Sequence, residues 1–337
     1  MAPTLKIAIP MAGFGTRMRP HTWSKAKPLI KVADRTVLDF VLEQFRSIPA
    51  GFDIEYVFIV GSAQLEQIAG HVRAQHADKT VHIVVQEQMR GQSDALWQAK
   101  EQLRGPMLMT FADTLVEVDL GFLAQEQGEG VAMVKRVPDP RRFGSVRLDE
   151  YGRVTQLIEK SQDMSQNLVV VGFYYFPSGE ALMAAIEEQM RRNLTLKNEF
   201  FLADAINVLL EGGTRFRVQQ VETWLDAGTP EALLETNRYL LAHGYDNSPQ
   251  ATLRQGCQVI PPVYIHESAE IESAVIGPYV SIAAGCRLRD VLLRDCILDE
   301  DSQVSGMLLE GSLVGSRTRL EGEPRRLNLG DDTWMKA

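Results

Sequence analysis

The stretch Pro10-Met-Ala-Gly-Phe-Gly-Thr-Arg-Met-Arg-Pro-His-Thr-Trp-Ser-Lys-Ala-Lys-Pro28 follows a short apolar run, Leu5 to Ile9. Gly13 and Gly15 let the backbone bend tightly and come close to a ligand. Arg17 and Lys27 then set two fixed cations at the lip of that bend. A strand that empties into a glycine turn with flanking cations suits a triphosphate. It is not a P-loop, because Gly15 is followed by Thr16-Arg17 rather than Lys-Ser/Thr. Nor is it the dinucleotide fingerprint, because Met18 stands where a third small residue is required. An ordinary turn accounts for a lone Gly-x-Gly. It does not account for Gly13, Gly15, Thr16, Arg17, Pro20, Lys27 and Pro28 together.

Outward from this loop, β-rich apolar runs alternate with amphipathic stretches. The runs are Leu5–Ile9, Glu55–Val60, Val81–Val85 and Met107–Phe111; the helical stretches lie near Thr36–Ser47, Ala63–Gln75 and Ser93–Leu103. This alternation predicts an α/β fold, a Rossmann-like, mostly parallel mixed sheet with helices on both faces. Ligands in such sheets sit beyond the carboxyl ends of the strands, where the glycine loop and Asp113 both fall. Further on, Gly144–Leu148, Arg153–Glu159 and Leu168–Phe176 read as strands, with helices over Gly179–Arg191 and Glu199–Glu211. A polar, turn-rich linker, Gly244 to Gln250, separates a domain at 1–243 from one at 251–337.

The second domain carries a six-residue apolar period: Ile265 and Ile271; Ile276, Ile282 and Leu288; Leu292, Leu298 and Val304; Leu308, Val314 and Leu320. Such a period with interspersed glycines marks a hexapeptide β-helix of coils of roughly eighteen residues. The phase slips between runs mark irregular corners. A short solenoid exposes ends and faces, so homo-oligomerisation through it is expected. Trp334-Met335 is expected to cap a coil or dock on a neighbour.

Composition narrows the function. A chain of 337 residues suggests two domains, and a net charge of −9 argues against a nucleic-acid surface. No apolar run approaches the roughly 20 residues of a membrane span, and there is no signal-peptide layout. Cys257, Cys286 and Cys296 lack any Cys-x-x-Cys spacing, which fits a reducing, cytoplasmic setting. The six histidines (His21, His71, His76, His82, His243 and His266) show no metal spacing and are read as surface or loop residues.

Beyond the loop, further blocks follow in order: Gln86 with Gly91; Thr110-Phe111-Ala112-Asp113-Thr114; Phe143-Gly144; Glu159-Lys160; Asn167 to Gly172; Asn198-Glu199; and Trp224-Leu225-Asp226-Ala227-Gly228-Thr229-Pro230. With them the chain resembles, over essentially its whole length, the sugar-1-phosphate nucleotidyltransferases, or NDP-sugar pyrophosphorylases. It is most similar to the long glucose-1-phosphate thymidylyltransferase type, whose tail is a left-handed β-helix. The resemblance implies attack of a sugar phosphate on the α-phosphorus of an NTP, with pyrophosphate leaving. No protein nucleophile is needed, because the attacking oxygen is already anionic; the task is to bring two polyanions together.

The roles follow. Arg17 would hold the β- and γ-phosphates with its planar fork, and Lys27 the α-phosphate. Asp113 and Asp226, each after an apolar lead-in, form a platform for Mg²⁺, which prefers oxygen ligands. Ala12, Gly13, Gly15 and Thr16 give the nucleotide room; Gln86 and the backbone around Gly91 and Gln92 would read the base. Gly144, Glu159, Lys160, Asn167, Gly172 and Glu199 would bind the sugar phosphate. The block Gly91-Gln92-Ser93-Asp94 departs from the commoner Gly-Thr-Ala, leaving base identity open. dTTP or UTP with glucose 1-phosphate leads, and mannose-1-phosphate guanylyl transfer is the alternative. A non-catalytic nucleotide-sugar sensor is a further alternative, disfavoured because Arg17, Lys27, Asp113, Lys160 and Asp226 are all present. A β-helix acyltransferase is disfavoured by its single histidine, His266.

Overall fold

A computed structural model describes residues 3–126 and 128–323. It divides into two compact units, Met1–Ile30 with Arg35–Ala232 and Lys31–Asp34 with Leu233–Ala337. The division falls inside helix α6 (Pro230–Ala242), ahead of the linker expected at 244–250. Trp334 and Met335 lie outside the described residues.

The first unit is built on a nine-stranded mixed sheet. Strand Thr4–Pro10 is central, paired in parallel with Asp53–Gly61 on one side and Met107–Thr110 on the other. Thr80–Gln86 extends the parallel half. Leu168–Phe176 joins antiparallel to Met107–Thr110, and Gly144–Leu148 and Val154–Glu159 continue antiparallel from it. The central strands are buried on both faces, as their unbroken apolar runs require: Leu5, Ile7, Ala8 and Ile9 are inaccessible, as are Leu108 and Met109. Helices α1 (Val37–Glu43), α2 (Leu65–Gln75) and α3 (Gln92–Gln98) connect the parallel strands. Helices α4 (Gly179–Arg191) and α5 (Leu202–Glu211) follow the antiparallel half.

The second unit is a β-helix, eight strands joined only by parallel pairs among the described residues. Its coils are shorter than the eighteen residues expected. Cys257 pairs with Ala274 and Ala274 with Val291, a step of 17; Leu292 pairs with Leu308 and Gln303 with Arg319, a step of 16. The corners are tight because left-handed residues recur at each: Gly256, Ser273, Asp290 and Gly306 on one, Gly285, Asp301 and Arg317 on another. The short segment Lys31–Asp34 groups with this unit, where Lys31 Nζ meets Glu300 at 2.8 Å and Tyr264 donates to Asp34 at 3.0 Å.

The register corrects two positions of the apolar period. Ile276 pairs with Leu293, and Leu293 with Leu309. Leu293 is therefore the inward residue and is inaccessible, whereas Leu292 and Leu308 point outward at 41% and 68% exposure. The period is five at this corner, not six, because the coil itself has lost residues. Leu293→Ala should therefore cost about 2–5 kcal/mol of unfolding free energy. Leu308→Ala should stay within about 0.5 kcal/mol of wild type. Denaturant melts that reversed this order would contradict the register.

Candidate active site

The glycine loop leaves the central strand and lines an open pocket of about 370 Å³. Ala12, Gly13, Gly15, Thr16, Arg17, Lys27, Gln86, Gly91, Gln92, Asp113 and Glu199 all contribute to its wall. The two glycines act differently. Gly15 is left-handed at φ 60°, and a Cβ there would sit 3.0 Å from the Thr22 methyl and 3.1 Å from Lys27 Cβ. Gly13 has nothing within 4 Å of such an atom, so its bare backbone faces open space. The loop is held from outside by three side chains. Thr22 Oγ1 donates to the Gly15 carbonyl at 2.8 Å, and Gln64 donates to the Gly13 carbonyl at 2.9 Å. Gln67, on α2, accepts from Ala26 N at 2.8 Å and donates to Ser24 O at 3.1 Å, fixing the backbone just before Lys27.

Backbone pairing brings the two aspartates together. Strand Trp224–Asp226 runs antiparallel to Thr114–Val116 with Asp226 opposite Thr114. Ala227 N donates to the Asp113 carbonyl at 2.9 Å. The Lys27 ammonium forms an ion pair and hydrogen bond with Asp113 Oδ2. Gly228 N donates to Asp226 Oδ1 at 2.9 Å, and a Cβ on Gly228 would lie 3.2 Å from an Arg17 guanidinium nitrogen. Burial pushes the Asp226 carboxyl above the ordinary aspartate range, repulsion from Asp113 adds to this, and Lys27 and Arg17 pull the other way.

At the base end of the wall, Gln86 is buried and its amide is locked. Its Nε2 donates to Asp94 Oδ2 at 2.8 Å and to the Gly91 carbonyl at 3.3 Å. Asp94 is inaccessible, and its other oxygen takes Arg90 Nε at 3.1 Å and Nη2 at 2.6 Å. Both amide hydrogens of Gln86 are therefore used internally, and the Oε1 acceptor is what it has left to offer. Gln92 lines the pocket, and its side-chain Oε1 accepts from Leu202 N, at the start of α5, at 3.3 Å. Gly91 is left-handed, and a Cβ there would lie 2.5 Å from the Phe200 carbonyl.

The residues expected on the sugar side do not gather on this wall, Glu199 excepted. Glu199 is not at a helix start; it closes a two-residue hairpin with Leu196 through Lys197 and Asn198, both left-handed, and α5 begins at Leu202. Gly144 pairs across the sheet with Glu159, and a Cβ on it would lie 3.3 Å from the Glu159 carboxylate. Burial pushes the Glu159 carboxyl up, Lys160 opposes this, and Asp204 adds to it. The Lys160 ammonium lies 3.7 Å from Glu159 and 4.4 Å above the Phe201 ring. Asn167 accepts from Arg136 at 2.8 Å. Gly172 is left-handed, and Phe111, which lines the pocket, packs on it; a Cβ there would lie 2.5 Å from that ring.

The model of the nucleotidyl transferase family matches residues 8–243. The chain belongs to the nucleotidyl transferase family. A low-salt glycan biosynthesis nucleotidyltransferase of Haloferax volcanii is 29% identical over 361 residues, covering 96% of this chain and 98% of that protein. A glucose-1-phosphate thymidylyltransferase of Streptomyces griseus is 27% identical, covering 97% and 98%. The solved structure of a UDP-glucose pyrophosphorylase with UDP-glucose shares the fold at a TM-score of 0.60 and 20% identity, covering 71% of this chain and 99% of that one.

Several residues that shape the site of this nucleotidyl transferase carry no sequence signal. Gln64 reaches Gly13 across 51 positions and Gln67 reaches Ala26 across 41. Asp94 had a partial signal, as the departure from Gly-Thr-Ala. Among the described residues no helix is long and apolar enough to cross a membrane. The raised Asp226 carboxyl gives a testable consequence. A native state that binds this proton more tightly than the unfolded chain loses stability as pH rises through the raised value. Asp226→Asn should therefore raise the melting temperature at pH 7, and the gain should vanish below about pH 4, where the aspartate is protonated in both states. A variant less stable than wild type at pH 7 would show that Asp226 is not under electrostatic strain.

Proposed function

We propose that this nucleotidyl transferase moves a nucleotidyl group from dTTP or UTP to glucose 1-phosphate, with Mg²⁺. The observation that carries the reading is a single pocket whose wall holds both a Lys27–Asp113 pair beside Asp226 and a buried, one-way Gln86 amide. Two polyanions must meet there. Lys27 and Arg17 supply positive charge where the triphosphate bends, and the loop amides follow it. The phosphate oxygen of the sugar attacks the α-phosphorus, the bond to the β-phosphate oxygen breaks, and pyrophosphate departs with that electron pair.

The residues present fit a divalent cation. Asp113 and Asp226 offer only oxygen donors, and their mutual repulsion is what a dication relieves. When bound, the ion neutralises phosphate charge and acts as a Lewis acid on a phosphoryl oxygen. Lys27, already paired with Asp113, holds that carboxylate in place.

Base choice follows from the Gln86 amide. Its Oε1 accepts a hydrogen bond, so it suits the N3–H of thymine or uracil and faces a lone pair on cytosine. Lys160 and Glu159 are assigned to the incoming sugar phosphate on the strength of the resemblance and their adjacency.

Lys27→Ala and Asp226→Ala should each lower turnover by about two orders of magnitude, roughly 2.7 kcal/mol of transition-state stabilisation. Near-normal turnover in either would remove that residue from the chemistry. Four NTPs tested against glucose, mannose, galactose and N-acetylglucosamine 1-phosphates, read by pyrophosphate release, should give dTTP or UTP with glucose 1-phosphate as the best pair. Guanine also presents an N–H, so GTP with mannose 1-phosphate is the result that would replace this reading. Asp94→Ala frees the Gln86 amide to turn over. It should narrow the preference for dTTP or UTP over CTP by about tenfold; an unchanged ratio would show that the lock does not set specificity.

A further inference from the structure

Helix α1 opens with a capping box. Thr36 Oγ1 accepts from Asp39 N at 3.1 Å, and Asp39 Oδ2 accepts from Thr36 N at 2.9 Å. This fixes the Asp39 carboxylate and turns its other oxygen toward the last turn of α2. Two imidazoles converge on that one oxygen: His71 Nε2 and His76 Nε2 each lie 2.7 Å from Asp39 Oδ1. His71 lies just over one turn before the end of α2, and His76 is its C-cap. The three ligating atoms lie within 4.8 Å of one another. Each side chain is 14% exposed, so an ion can reach them while most water is excluded. The two histidines are not the surface residues their sequence context suggested.

We propose that Asp39, His71 and His76 form a second metal site, separate from the Asp113–Asp226 pair, that takes a borderline dication such as Zn²⁺ or Co²⁺. Two imidazoles and one carboxylate are a donor set for such ions and not for Mg²⁺ or Ca²⁺. Zn–N and Zn–O bonds of about 2.0–2.2 Å set tetrahedral ligand atoms roughly 3.3 Å apart. The present contacts need only open by about half an ångström to admit the ion. Thr36 Oγ1, 3.3 Å from His71 Nε2, or a water supplies the fourth position. On binding, each imidazole presents its Nε2 lone pair and carries its proton on Nδ1, so a neutral pair releases none. Burial alone would raise the Asp39 carboxyl, but hydrogen bonds from His71, Thr36 and His76 outweigh it and hold it well below the usual range, ionised and ready to ligate. The C-terminal end of α2 adds its partial negative charge. The ion would join α1 to α2, the helix whose Gln67 holds the backbone ahead of Lys27.

The test uses tag-free, full-length protein stripped with chelator and titrated with Zn²⁺ and Co²⁺. The expected result is one equivalent bound, with the visible bands of tetrahedral Co²⁺. His71→Gln with His76→Gln should lose about a hundredfold or more in affinity, and Asp113→Asn with Asp226→Asn should keep it. X-ray absorption on the Zn²⁺-loaded wild type should count two imidazole nitrogens, a readout that needs no variant to fold. No stoichiometric binding, binding that survives the double histidine change, loss in the double aspartate change, or a shell without two imidazoles would each overturn the proposal.

Discussion

The interaction on which the site depends is the antiparallel pairing of Trp224–Asp226 with Thr114–Val116. Left to electrostatics, Asp113 and Asp226 would move apart. The hydrogen bond from Ala227 N to the Asp113 carbonyl and the register of Asp226 with Thr114 forbid it. Burial raises the Asp226 carboxyl, repulsion from Asp113 adds to it, and Lys27 and Arg17 partly offset both. In the proposed function, two carboxylates held in register and a lysine anchored on one of them would attract a dication and, through it, phosphate. Stability given up at Asp226 is the usual companion of a site built for charge.

The rest of the first unit serves that arrangement. The central strand delivers the glycine loop to the same sheet edge. Gln64, the N-cap of α2, and Gln67 within it stiffen the loop, and Gly15 allows the close approach of Thr22 and Lys27 to its backbone. The Arg90–Asp94–Gln86 chain orients the Gln86 amide as the Lys27–Asp113 pair orients its carboxylate; in the proposed function the first would meet the base and the second the phosphates.

Much of this was legible in the sequence. The strands through Leu5–Ile9, Glu55–Val60, Val81–Val85 and Met107–Phe111 were, because burial on both faces leaves continuous apolar runs. The glycine loop and Asp113 were, because each follows a strand. What was not legible depends on contacts between distant positions. The hydrogen bond from Leu202 N to the Gln92 side chain joins positions 110 residues apart and has no local signal. Glu199 reads as a helix start and is a hairpin, because Lys197 and Asn198 adopt left-handed backbone. Leu292 and Leu308 satisfy a six-residue period on paper, but a coil of 16 residues shifts the inward position to Leu293 and Leu309. His71 and His76 have no metal spacing within one helix turn; Asp39 supplies the convergence from another element.

The most direct test of the central claim is anomalous scattering from a crystal of the protein grown with Mn²⁺ and dTTP or UTP. The account predicts a manganese peak within bonding distance of both Asp113 and Asp226, with the triphosphate along the loop from Gly13 to Arg17. A peak bound by neither aspartate, or a nucleotide lying away from that loop, would contradict it.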